Sequence, residues 1–294
     1  MDFNNIFCFL QNHTSEFIVA SIGSAAGAYY GAKAAQKIIE GGKSREDLLN
    51  TINFTNIAIT LSYNICNGLL SSKKQFIKPL HEDYEEEKKL LQNFNQNLAS
   101  GNIPLSSQYQ FTANLQTFPL PKLPFEALER VMFNNSGINS QLLTVFSTLN
   151  MSLDGLKQSV DKRNDLIENY KNRPVGTDLS AHEYFGLQEG GKINQDYPTV
   201  VSAIKNQTDD VIFFSHLLCE QLNMLGKNLA EQFKKQHKKG CPKIVKIDWS
   251  QAEQNNLLPP NNTYSEWLKI FPEKDSKPAS GWNLKTRFTR SESD

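Results

Sequence analysis

From Ser140 onward, apolar residues return at alternating three- and four-residue steps: Leu142, Phe146, Leu149, Leu153, Leu156, Val160, Ile167 and Tyr170, interrupted only at Arg163. Such spacing places them on one stripe of a helix and predicts coiled-coil-like packing. Asn172–Arg173–Pro174 ends the pattern, because proline cannot continue a helix. A second stripe runs through Val201, Ile204, Val211, Leu218, Leu222, Leu225 and Leu229, broadened by Phe213, Phe214 and Phe233. It predicts a helix from about Pro198 to Lys239, with proline in the first turn and Gly240 at the cap. Heptad-spaced helices of unequal length joined by irregular loops indicate a mainly α protein, an antiparallel helical bundle.

Upstream, Asn50–Ser72 is uncharged but not uniformly apolar. Asn53, Asn56, Thr60, Asn64, Asn67 and Ser71 form a polar stripe, with Ile52, Ile59, Cys66 and Leu70 among the apolar positions. Burying four asparagines in lipid is expensive, so this is expected to be an amphipathic helix of the bundle. Pro79 is expected to kink or end the following stretch. Leu80, Tyr84, Leu91, Phe94 and Leu98 restore a helical stripe over His81–Ala99, with Glu87 intruding. Prolines 104, 119, 121 and 124 then exclude helix. Tyr109–Thr117 is expected to be a short extended piece, and FPLPKLP either a polyproline II ligand or a connector packed along the helices. Val175–Tyr197 is expected to be a polar, glycine-studded loop. After Gly240 the expectations are a short strand at Lys243–Trp249, a helical turn or two at Ser250–Asn255, a short capped helix at Thr263–Phe271, and a poorly ordered tail from Pro272.

The N-terminal window differs from all of these. Phe17–Ala32 has no charged residue, and Gly23, Gly27 and Gly31 recur every four positions beside Ala20, Ser24 and Ala28. Each glycine costs a helix in water about 1 kcal/mol relative to alanine, whereas in lipid small residues let two helices approach closely. The window is about 24 Å long, short of a bilayer core of about 30 Å. Snorkelling of Lys33 and Lys37 extends it through Ile38 and Ile39. A transmembrane helix is therefore expected, with a tightly packed core helix and a cleaved targeting segment as competitors. No Lys or Arg precedes Lys33, whereas Lys33, Lys37, Lys43 and Arg45 follow the window. That asymmetry argues against a secretory leader and puts the downstream body on the cytoplasmic side. The expected organisation is an anchor helix with its basic flank over 1–45, a bundle over 46–240, and a small irregular C-terminal region over 241–294.

FIVASIGSAAGAYYGAKAAQ followed by TNIAITLSYNICNGLLSSKKQFIKPL resembles uncharacterised bacterial proteins with a short N-terminal membrane anchor and a helical body. The resemblance covers roughly residues 1–80. It implies a bacterial inner-membrane setting and brings no catalytic residues with it.

Composition narrows the function classes. The 294 residues carry 31 Lys+Arg against 31 Asp+Glu, with 39% hydrophobic residues and a mean hydropathy of −0.48. A polytopic membrane protein is excluded by so polar an average, and a strongly basic nucleic-acid binder by the charge balance. His216-x2-Cys219 and His237-x3-Cys241 have the look of ligand pairs. On one helix, however, the two histidines stand about 31 Å apart, too far for a single metal. No nucleophile motif is present; His182–Glu183 and Asp209–Asp210 are two-residue pairs, and GGK at Gly190–Lys192 lacks the rest of a phosphate loop. No catalytic residue, metal or cofactor is therefore expected. Lys234, Lys235, Lys238 and Lys239, followed by Lys243 and Lys246, form a basic cluster. It suits anionic lipid, or simply a helix C-terminus, and no aromatic platform for nucleic acid accompanies it. The leading expectation is a single-pass, membrane-anchored interaction or scaffold protein, pairing through its glycine stripe with itself or another protein. A membrane-perturbing, pore-forming effector and a soluble helical enzyme or adaptor are the alternatives.

Overall fold

A computed structural model describes residues 3–174, 177–237 and 239–269, and of residues 3–30 the backbone only. The protein is mainly helical: α1 (Phe3–Ser72), α2 (Lys78–Ala99), α3 (Phe125–Asn134), α4 (Ser140–Lys171), α5 (Ala181–Phe185), α6 (Asp196–His237), α7 (Ser250–Gln254) and α8 (Ser265–Leu268). Among the described residues there is no strand, only an isolated bridge between Glu189 and Lys192. The chain divides into two compact units, Met1–Pro259 and Pro260–Asp294. In the second, a 3₁₀ turn at Asn261–Tyr264 leads into α8, where a single capped helix over Thr263–Phe271 is expected. The tail from Pro272 lies outside the described residues.

In the first unit α6 is the central helix, packed against α1 on one side and α4 on the other. Both pairings are antiparallel. Ascending α1, Arg45 meets Phe233, Ile59 meets Cys219 and Cys66 meets Ile212, and just past its end Lys73 meets Asp209, on a descending α6. Gly155 of α4 lies against Gln207, and Arg163 against Tyr197. All eight apolar positions of the α4 stripe are buried. The interruption is buried too, since Arg163 is 1% exposed. Asn139 caps α4 by accepting the Leu142 N–H at 2.9 Å, which satisfies one of the donors a helix start leaves open. Ile52, Ile59, Cys66 and Leu70 of α1 are buried, and the polar stripe faces outward except at half-buried Asn56.

Pro79 neither ends the helix nor stands in its interior. A π-helical turn, Lys73–Ile77, precedes α2 and places Pro79 in the first turn. The Lys78 N–H bonds to the Lys73 carbonyl, five residues back. Widening the turn relieves the clash of a proline ring with the carbonyl four residues earlier.

The N-terminal part runs without interruption into the bundle. α1 is one unbroken helix through Gly41 and Gly42, entering the bundle near Ile52. Residues 31–47 are exposed on every face, Ile38 at 75% and Ile39 at 70%. Among the described residues no helix is long and apolar enough to cross a membrane, so the structure does not support a transmembrane N-terminal helix. Gly23 and Gly27 fall where the backbone alone is described.

Two non-helical segments wrap the bundle. The first joins α2 to α3; from Ser107 to Leu115 its alternate residues are half-buried, the period-two signature of an extended chain. Tyr109, Phe111, Ala113 and Leu115 pack on a core of Tyr84, Tyr170, Tyr184, Phe185 and Tyr197. FPLPKLP is the connector, with Phe118 stacked on Phe76 at 6.3 Å. The second segment follows α6. Lys243–Trp249, expected as a strand, is irregular and has no strand partner among the described residues. Side-chain amides replace the neighbouring strand: Asn56 Nδ2 donates to the Lys243 carbonyl at 2.9 Å and Asn56 Oδ1 accepts the Val245 N–H at 3.0 Å. Asn223 donates to the Val245 carbonyl at 2.8 Å.

Candidate functional site

The basic cluster acquires a second half from the fold. Arg45 of α1 lies with its guanidinium 5.9 Å from the centre of the Phe233 ring and close against Gly240. Phe233 is fully buried while its neighbours Lys234 and Lys235 point outward. Lys239, Lys243 and Lys246 are exposed as well, and Lys238 lies outside the described residues. The end of α6, the start of the second segment and the point where α1 leaves the bundle thus meet in one region. Glu46 and Asp47 on α1 and Glu231 on α6 temper its charge. Arg45 and the lysines at the end of α6 stand at the root of the α1 arm, with Lys243 and Lys246 further along the segment that follows. Exposed ammonium groups of this kind attract anionic surfaces without building a pocket for one small ligand. The sequence lists the flank of α1 and the end of α6 separately; only the antiparallel pairing of those helices joins them.

The glycine stripe is represented in the described side chains by Gly31, where an added Cβ would meet nothing within 4 Å. This part of α1 has open space around it.

At the opposite end of the bundle, Tyr84, Tyr170 and Tyr184 gather around Tyr197, whose ring Arg163 approaches. The guanidinium lies 5.1 Å from the Phe118 ring centre and 5.8 Å from that of Tyr197, and donates to the Gln116 carbonyl at 2.8 Å. Tyr184 and Tyr197 share a hydroxyl hydrogen bond of 3.1 Å. Burial pushes the Tyr170 phenol up to about 12 and those of Tyr84 and Tyr184 further still. These hydroxyls stay protonated through the physiological range, so the cluster is a packed core with no poised base.

His182 and Glu183 do not act as a pair. Arg173 grips both Glu183 oxygens, and those hydrogen bonds hold its carboxyl below the usual range. His182 Nε2 instead meets Asn95 Nδ2 at 3.0 Å. Beside them, Lys89, Gln92, Asn93, Gln96 and Gln188 line an open polar groove of about 590 Å³. Asp209 is held between Lys73 at 2.6 Å and Lys205 at 3.3 Å.

The His and Cys residues also diverge. Among the described residues no three His, Cys, Asp or Glu side chains are grouped to hold a metal. His216 packs edge-on to Trp249 with ring centres 4.6 Å apart, and burial lowers its pKa. Cys66 and Cys219 point at carbonyls across the α1–α6 interface, each at 3.7 Å. Burial pushes the Cys66 thiol up to about 12, leaving it a poor nucleophile.

No family model, no curated protein and no solved structure matches this chain.

Proposed function

We propose that this chain is a membrane-anchored helical interaction protein, with the N-terminal part of α1 as a single-pass anchor and the bundle as its cytoplasmic body. The observation that carries the proposal is the exposed arm: α1 continues beyond the bundle as helix while residues 31–47 stay exposed on every face, with Arg45 meeting Phe233 at the arm's root. A helix alone in water is marginal, and this one spends glycines at 31, 41 and 42 without packing against the body. Lipid or a second helix supplies what the body does not. The apolar, glycine-striped window Phe17–Ala32 lies on the same helix, and basic residues stand at its root, where anionic headgroups would lie. Stripe-to-stripe pairing through Gly23, Gly27 and Gly31 makes a second copy of the chain, or another anchored protein, the natural partner.

Membrane fractionation tests this proposal. The protein should remain with membranes after carbonate extraction, and monodisperse recovery in the soluble fraction without detergent would reject the anchor. Replacing Lys234, Lys235, Lys238 and Lys239 with Gln should reduce binding to phosphatidylserine vesicles and flatten its salt dependence.

A further inference from the structure

The segment after α6 occupies its groove as a ligand occupies a receptor. Asn56 and Asn223 read the backbone of Lys243 and Val245 through three hydrogen bonds, independently of side chains. Side-chain recognition is added at two points. Ile244 fits a notch at Gly226, where an added Cβ would fall 3.1 Å from Ile244 Cγ2. Trp249 stands against Tyr63, with ring centres 5.5 Å apart, and against His216, while its Nε1 donates to Glu220 at 3.1 Å. Downstream, Lys73 donates to the Leu257 carbonyl at 2.8 Å. The connection from α6 passes through Gly240, whose φ of +86° is open to glycine and strained for other residues.

We propose that the α1–α6 groove is a peptide-recognition groove, and that the 241–257 segment of a second copy of this chain can occupy it in exchange for the chain's own. Everything the groove recognises is supplied by the identical segment of another copy, so exchange preserves each contact and alters only the connection at Gly240. The first extended segment offers no such exchange, because the bundle helices α3, α4 and α6 follow it and Arg163 is buried beneath it, whereas 241–257 is followed by the second compact unit. The exchange involves the body alone and is independent of the membrane anchor.

Complementation between two full-length variants in detergent micelles tests the exchange. One keeps its segment and loses the groove (Asn56→Ala with Gly226→Leu); the other keeps the groove and loses the segment (Ile244→Asp with Trp249→Ala). Differently tagged copies of the two should co-purify roughly tenfold better than either variant with itself, which separates groove exchange from anchor pairing. Equal recovery in all pairings overturns the proposal. An unmutated mixture of isotopically light and heavy chains provides a reading that does not depend on the variants folding. Lysine cross-links between Lys227 and Lys243 or Lys246 should include mixed-isotope pairs; exclusively same-isotope pairs there overturn it.

Discussion

The bundle carries two non-helical segments, and each hangs on a helical asparagine that both donates to and accepts from its backbone. Asn164 accepts the Phe118 N–H at 3.3 Å and donates to the Phe118 carbonyl at 2.9 Å, the counterpart of Asn56 at Lys243 and Val245. Each segment also has a glycine notch: Gly68 receives Leu123 as Gly226 receives Ile244. Beneath the first segment, however, lies a buried guanidinium bonded to the Gln116 carbonyl and flanked by rings. Beneath the second, from Lys243 to Trp249, are the neutral amides of Asn56 and Asn223, and at Leu257 the Lys73 ammonium. Two segments with the same backbone clasp therefore differ in what their release would expose. Lifting the first strands a buried cation; lifting the second returns neutral amides and the rings around Trp249 to water, and the Lys73 ammonium it uncovers keeps Asp209 as its partner.

The largest effect should come from breaking the first anchor. Arg163→Ala removes the donor to the Gln116 carbonyl and leaves a void between Phe118 and Tyr197, costing about 3 kcal/mol in denaturant unfolding. Arg163→Met keeps much of the packing without the buried charge and should cost distinctly less. A Met variant as unstable as Ala would mean that the charge itself is required.

Next come the asparagines. Asn56→Ala and Asn164→Ala each strand an N–H and a carbonyl, with an expected loss of about 1–2 kcal/mol. The two should part in limited trypsinolysis: Asn56→Ala opens the chain at Lys243 and Lys246, whereas Asn164→Ala leaves the Lys122 bond slow because Arg163 still holds its segment. Rapid cleavage at Lys122 would erase the distinction.

A smaller effect belongs to pH. The folded pKa of His216 is depressed by burial, which outweighs the opposing Glu220 and Glu253. The unfolded chain therefore takes up a proton near the ordinary value of 6.5 while the folded chain resists it. Stability is full above that pH and declines as pH falls through the interval down to the folded pKa. The melting midpoint should drop by roughly 2–3 °C over that interval, and His216→Phe, which retains a ring against Trp249, should flatten the dependence. Glu183, lowered by Arg173, adds a separate loss below its ordinary 4.5.

The smallest expected changes are at the notches. A Cβ at Gly68 would fall 2.8 Å from Leu123 Cδ2, the end of a side chain that can move. A helical alanine gains about 1 kcal/mol over glycine, so Gly68→Ala and Gly226→Ala should each stay within about 1 kcal/mol of the parent in thermal melts.

Much of this architecture is legible as periodicity. The α4 stripe, the extent of α6 and the apolar face of Asn50–Ser72 follow from spacing alone, because packing at helical period is a property of neighbours in sequence. Arg163 is different. Hydropathy marks it as a break, whereas the fold gives it a carbonyl and two ring faces brought from 34 or more residues away in neither sequence-local nor periodic fashion. Asn56 cannot be told from Asn53, Asn64 or Asn67 by position on the stripe, since spacing assigns a face and not the segment that will lie against it. The same limit hid the meeting of Arg45 with Phe233 at the end of α6. KIVKIDW reads as a strand because it is short and rich in β-branched residues; what composition cannot say is that amides take the place of a second strand.

The most direct measurement compares hydrogen exchange at two amides in the intact protein, those of Phe118 and Val245, each donated to an asparagine side chain. The account predicts that Val245 exchanges much faster than Phe118 and faster than the buried amides of α6, through an opening that leaves the helices folded. Equal protection of Phe118 and Val245 at the level of the α6 core would contradict it.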